Sequence, residues 1–205
     1  MITDRALSAG RSHEDVVAAA LRGGATAIQL RDKTCGRAEL VATGRRLAQL
    51  CRDAGATFIV NDDPAVAAEI GADGVHLGPD DPSPAAARAI LGSRAVIGYS
   101  AKASPELAQQ AESAGVDYVV AGSIFPTSTK ADATVVGLAA IRAITAAVRI
   151  PVAGIGGIGS ANGGSVIEAG ADVACVISAA VAAPDVEGAC RQMADRIRAS
   201  LAAYR

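Results

Sequence analysis

One phrase recurs along the chain and limits what it can fold into: GGATAIQL from Gly23, AGATFIV from Ala54, IGADGVHL from Ile70, AGVDYVV from Ala114 and AGADVACV from Ala169. In each, an alanine-rich stretch of helical character meets a glycine, and a short apolar run follows. Glycine suits the left-handed position that closes a helix, and the run has the length and β-branching of a strand. The phrase is therefore a repeated helix-to-strand junction. Two further apolar runs, Ala95–Tyr99 and Ile150–Ile155, continue the alternation without it.

Strands are expected near Ala25–Leu30, Thr57–Asn61, Gly74–Leu77, Ala95–Tyr99, Asp117–Ala121, Pro151–Ile155 and Asp172–Ile177. Helices are expected over Ser12–Arg22, Arg37–Asp53, Pro64–Ile70, Ser83–Leu91, Pro105–Ala114, Gly137–Ala147, Ala161–Ala169 and Asp185 to about Ala203. Met1–Asp4 reads as the tail of a further strand at the start, which makes the runs above the second to the eighth. Eightfold strand–helix alternation is the pattern of the closed α/β barrel, the (β/α)8 or TIM barrel; counting alone leaves a doubly wound open sheet as the alternative. The first strand is cut short, because only Met1 and Ile2 precede polar Thr3 and Asp4 where a barrel strand has about 5 residues. The expectation is that the numbered chain begins late.

At 205 residues and 51% hydrophobic, the chain suits one domain, 1–205, with a well-buried core. Aromatics are scarce, and alanine, valine, isoleucine and glycine favour close packing of helices on a parallel sheet. A formal charge of -2 makes no electrostatic case for nucleic acid or an anionic membrane. Nothing reads as a signal peptide or as the roughly 20 apolar residues of a membrane helix, so a cytoplasmic protein is expected, with a homo-oligomer left open. The four cysteines, Cys35, Cys51, Cys175 and Cys190, lack zinc-site spacing and read as reduced structural thiols, with Cys35 in a polar loop where it could react.

Barrels of this kind bind ligands at the carboxyl ends of their strands. Those positions hold Gln29, Arg31 and Lys33 after the second strand, Asn61 and Asp62 after the third, and His76, Asp80 and Asp81 after the fourth. Ser100 follows the fifth, Ser123 to Lys130 the sixth, Gly156–Gly157 the seventh and Ile177–Ser178 the eighth. The opposite end carries mainly glycine, alanine and aspartate. Three cations, Arg31, Lys33 and Lys130, are costly to gather unless an anion is present. Asn61, Asp62 and Asp81 are hard oxygen donors of the kind magnesium takes beside substrate phosphates. Together they read as a diphosphate held through a metal. Thr127 and Thr129, with the amides near Gly157 and Ser178, add uncharged donors, and the loops after the seventh and eighth strands are where this fold habitually cradles a phosphate, which points to a second one.

Plainer readings stand beside these. Arg31 and Lys33 could pair with Asp32 and Glu39 on the surface. Asp63 before Pro64 is read as a helix cap, and Asp81 before Pro82 could be another. Ser12 and Asp15 form a capping pair with a solvated His13 beside them. His76 is as readily a packed barrel residue as a catalytic one.

The motifs ITDR at Ile2, QLRDK at Gln29, IVNDD at Ile59, GADGVHLGPDD at Gly71, IGYSA at Ile97, FPTSTK at Phe125, GIGGI at Gly154 and VISAA at Val176 resemble those of the thiamin-phosphate synthase family over essentially the whole chain. The resemblance implies a barrel enzyme, a transferase joining a pyrimidine diphosphate to a thiazole phosphate, plain or carboxylated, with release of pyrophosphate. It further implies that Gln29, Arg31, Lys33, Asn61, Ser100 and Lys130 hold the pyrimidine diphosphate, that Asp62 and Asp81 bind Mg2+, and that Thr127, Ser128, Thr129, Gly157, Ile177 and Ser178 receive the thiazole phosphate. Arg31, Lys33 and Lys130 would then act catalytically on the leaving diphosphate. Two departures are visible: Gly122–Ser123 stands where the family usually has Gly-Pro, and Pro79 where it usually has glutamine.

Rich in groups for a leaving diphosphate and poor in candidate bases, such a site favours dissociative displacement, in which the thiazole nitrogen traps a pyrimidine methyl cation. The competing readings are a thiazole tautomerase-like isomerase, another phosphate-sugar enzyme on the same fold, and a non-catalytic barrel that keeps a phosphate site.

Overall fold

The computed structural model describes residues 1–127, 129 and 133–204. Its strands are β1 Ala27–Leu30, β2 Thr57–Asn61, β3 Gly74–Leu77, β4 Val96–Lys102, β5 Tyr118–Ala121, β6 Val152–Ile155 and β7 Val173–Cys175. They form one parallel sheet in chain order, so each strand lies beside the next. Helices alternate with them: α1 His13–Arg22, α2 Arg37–Ala54, α3 Pro64–Ile70, α4 Pro84–Leu91, α5 Pro105–Ser113, α6 Gly137–Ala147, α7 Gly163–Glu168, α8 Ser178–Val181 and α9 Val186–Tyr204. The strand labelled β1 is thus the second strand expected from the sequence.

The N-terminal segment closes the sheet. Ile2 bridges Gln29 in parallel. Its N–H donates to the Val176 carbonyl at 2.9 Å beyond β7, while Gln29 N–H donates to Met1 O and Thr3 N–H to Gln29 O, both at 2.9 Å. Three residues therefore do the joining that a full first strand would do, and the sheet is a barrel.

Alternation along the strands sorts the core. Ile28, Leu30, Phe58, Val60, Val75, Leu77, Ile97 and Val119 are buried under the helices, against Val16, Val17, Leu47, Val66, Ile141 and Ile144. Capping fixes where several helices begin. Ser12, Asp63, Ser83 and Ser104 each accept a backbone N–H in the first turn of α1, α3, α4 and α5, and proline opens the last three. Ser12 and Asp63 match the sequence expectation.

The aspartates at the amino end of the barrel have one repeated task. Asp73 donates its N–H to Phe58 O at 2.9 Å and accepts Phe58 N–H on its carboxylate at 2.7 Å. Asp117 does the same to Ile97, at 2.7 and 2.7 Å, and Asp172 to Val152, at 2.8 and 3.1 Å. Each ties the first or second residue of a neighbouring strand, giving its N–H a partner at the end of the ladder.

Candidate active site

At the carboxyl end of β1 the chain turns through Arg31, Asp32 and Lys33. Thr3 grips the backbone there: its hydroxyl accepts Arg31 N–H at 2.9 Å and donates to Arg31 O at 3.1 Å. Asp4 takes the Arg31 guanidinium at 2.7 Å. Asp32, whose carboxylate is only 1% exposed, is bonded by Arg5 at 2.6 Å, by His13 Nε2 at 3.1 Å, and by the Thr34 amide and hydroxyl at 2.8 and 2.6 Å. Burial alone would raise its pKa, but the bonds from Thr34, His13 and Arg5 outweigh that and hold it well below the usual carboxylate range.

His13 is buried, not solvated, because it packs onto Asp32. Asp32 and Glu39 are both taken by Arg5, at 2.6 Å each, leaving Arg31 and Lys33 free of them. Lys33 instead reaches across the rim to Asp62 at 2.5 Å.

Asn61 ends β2, and Asp62 follows in the left-handed region at φ 67, its N–H donating to the His76 carbonyl at 2.8 Å. That left-handed conformation is uncommon for a non-glycine residue, and aspartate is among the few that adopt it. Asp81 accepts Gly78 N–H at 2.7 Å, so it closes its own loop; the cap of α4 is Ser83. Its pKa is raised, first by burial and then by the nearby Asp62 carboxylate, against the lowering effect of the Gly78 N–H. Two carboxylates in mutual repulsion, with an ammonium already drawn to one of them, fit a divalent cation. No group of three or more His, Cys, Asp or Glu side chains able to hold a metal occurs among the described residues. Two carboxylates are the number magnesium takes when phosphate oxygens and water complete its shell.

Inside the barrel, His76 on β3 is 8% exposed. Its Nδ1 lies 3.2 Å from the Tyr118 hydroxyl and its Nε2 2.9 Å from Ser100 Oγ. Burial lowers its pKa to about 4, with Asp62 pulling weakly the other way, so the ring is neutral at physiological pH. Gln29 stands on β1 between the Ile2 bridge and Ile59 of β2.

The loop after β5 lies on the loop after β6. Ile124 N–H donates to Ile155 O at 2.8 Å and Phe125 N–H to Gly156 O at 3.0 Å, after a cis peptide between Gly122 and Ser123. Gly157, at φ 62, sits so close that a Cβ there would fall 2.4 Å from Pro126 O. Thr127 accepts Thr129 N–H at 3.2 Å. Ser128 and Lys130 lie outside the described residues. Ile177 and Ser178 open α8, a four-residue helix, with Val181 N–H closing onto Ile177 O at 2.8 Å. A short extra helix after the last strand is the usual phosphate-facing device of this barrel.

The contributions of Thr3, Asp4, Arg5 and Tyr118 were not foreseen. Thr3 and Asp4 stood in the ITDR motif as polar residues in a strand tail, which was the available signal.

Fold and rim together define a (β/α)8-barrel enzyme whose polar and charged groups converge at the carboxyl ends of its strands. The model of the family described as thiamine monophosphate synthase matches residues 1–180, and the chain belongs to that family. It is 50% identical over 188 residues to a thiamine-phosphate synthase of Moorella thermoacetica, covering 91% of this chain and 89% of the relative. With one from Natronomonas pharaonis it shares 46% identity over 200 residues, 96% and 93% of the two chains. Among solved structures, a thiamine phosphate pyrophosphorylase from Pyrococcus furiosus superposes with a TM-score of 0.90 at 42% identity, covering 98% of this chain and 95% of that one. The activity is that of a thiamine-phosphate synthase, a transferase of thiamine biosynthesis.

Proposed function

We propose that the chain performs this transfer with magnesium, in the cytoplasm, and with the rim residues divided between two substrates. Gln29, Arg31, Lys33, Asn61, Ser100 and Lys130 hold the pyrimidine diphosphate, and Asp62 and Asp81 hold Mg2+. Thr127, Ser128, Thr129, Gly157, Ile177 and Ser178 receive the phosphate of the thiazole. The observation that carries the reading is the Lys33–Asp62 pair beside Asp81, with Arg31 fixed by Asp4 on the same side of the rim. A cation bridging onto one of two crowded carboxylates is a site balanced for a metal and an anion arriving together.

Bound there, magnesium would neutralise charge on the diphosphate. The methylene C–O bond of the pyrimidine breaks with its electron pair going to pyrophosphate, and Arg31, Lys33 and Lys130 stabilise the charge that builds there. The ring nitrogen of the thiazole supplies the electron pair of the new C–N bond. It loses no proton, so no general base is needed, and neutral buried His76 is consistent with that. The test is calorimetric binding of inorganic pyrophosphate. Affinity should rise with Mg2+ and fall about tenfold or more in Lys33→Ala, on the scale of a lost charged hydrogen bond. Binding indifferent to both would overturn the division.

A further inference from the structure

Tyr118, His76 and Ser100 form a line of three polar groups from the barrel interior to the rim, and the chemistry expected at its outer end fixes its direction. We propose that His76 is a positioning residue whose ring carries its proton on Nε2, so that Tyr118 donates to His76, His76 donates to Ser100, and the Ser100 hydroxyl hydrogen is left to point at a phosphate oxygen. This rests on the reading that Ser100 meets the diphosphate.

The geometry holds all three members. Tyr118 stacks on His76 with ring centroids 5.7 Å apart and planes at 27°. Gly98 makes room for the tyrosine, since a Cβ on Gly98 would lie 2.0 Å from Tyr118 Cζ. Ser100 is placed by β4 where the ladder with β5 shifts register between Ser100 and Lys102. The His76 carbonyl accepts the Asp62 N–H at 2.8 Å, so one residue ties the line to the carboxylate rim.

Neither ring nitrogen bonds a carboxylate among the described residues, and the contact distances of 3.2 and 2.9 Å admit two neutral tautomers. With the proton on Nδ1, the ring donates to Tyr118 and Nε2 must accept the Ser100 hydrogen. Ser100 would then turn lone pairs toward the ligand. A diphosphate offers only acceptors, so that arrangement sets oxygen against oxygen. With the proton on Nε2, Ser100 accepts from the ring and its hydrogen is free for the anion. Tyr118 must then donate to Nδ1, and burial raises its pKa, which keeps that donor protonated. Only one direction gives every lone pair a hydrogen.

Nitrogen NMR of the histidine-labelled full chain reads the tautomer without turnover, and His13→Gln assigns the two rings, since the chain has two histidines. The expected result is a protonated, pyrrole-type Nε2 and an unprotonated, pyridine-type Nδ1 in His76; the reverse overturns the proposal. Kinetics give the second arm. Tyr118→Phe should raise KM for the pyrimidine diphosphate about tenfold, as for one weakened hydrogen bond to a charged group, with KM for the thiazole phosphate unchanged. His76→Gln keeps an N–H near the Nε2 position and should stay closer to the wild type than His76→Leu. Equal rises in both KM values, or no rescue by glutamine, would reduce His76 to packing. If the wild-type chain releases no pyrophosphate, the functional reading fails while the NMR result stands; a reversed tautomer in an active chain sinks the relay alone.

Discussion

At the scale of residues, charges on the rim are held by neighbours that keep them from collapsing onto one another. Asp4 fixes Arg31, and Arg5 and His13 both bond Asp32, so Lys33 is left to face Asp62. Lys130, the remaining cation assigned to the leaving diphosphate, is predicted to cost about 10²-fold or more in turnover when changed to alanine, the scale of a lost electrostatic donor. Near-normal turnover in that variant would remove its role. His76 yields a prediction for stability. Its folded pKa of about 4 lies below the ordinary 6.5, so the unfolded chain takes up the proton first as pH falls. Stability is therefore full above 6.5 and drains down to about 4, by at most about 1.4 kcal/mol per pH unit. Urea midpoints at neutral and mildly acidic pH should fall further for the wild type than for His76→Gln, and equal losses would contradict a buried neutral ring.

At the scale of elements, the two ends of the barrel divide labour. The amino end is stitched by the three aspartates, and Asp117 also bonds Arg88 at 2.8 Å. Asp117→Ala leaves the buried Ile97 N–H without its carboxylate, so a loss of about 1–3 kcal/mol is expected in a denaturation curve, with KM values unchanged. The carboxyl end is built by loops that touch. In Gly157→Ala, a new Cβ meets Pro126 O in a left-handed backbone, forcing the loops after β5 and β6 apart. We expect KM for the thiazole phosphate to rise at least tenfold with little change in the pyrimidine diphosphate; the opposite pattern would place the second phosphate elsewhere. These elements were largely legible because glycine phrases, caps and apolar runs are local signals. The exceptions have physical causes. α8 is too short to show a helical period, and β4 runs on to Lys102 through an irregularity that no apolar pattern marks.

At the scale of the whole molecule, the barrel is closed by three residues, and the same segment carries the groups that hold Arg31. Closure and site are therefore one structure: Ile2 and Thr3 join β1 to the far edge while the Thr3 hydroxyl and Asp4 grip the rim. The alternation of elements showed in the sequence where the ring of polar groups would lie. The partners were not readable, since Arg31 and Asp4 are 27 residues apart, and adjacent Asp32 looked the simpler match. If the ring works as proposed, it expels pyrophosphate from a pyrimidine diphosphate only when a thiazole phosphate and magnesium are present. The most direct measurement is pyrophosphate release by the purified chain with each substrate alone, with both, and with both after chelation of magnesium. Release is expected with both substrates and the metal, and its loss on chelation. Release that persists after chelation, or that needs no thiazole phosphate, would contradict that reading.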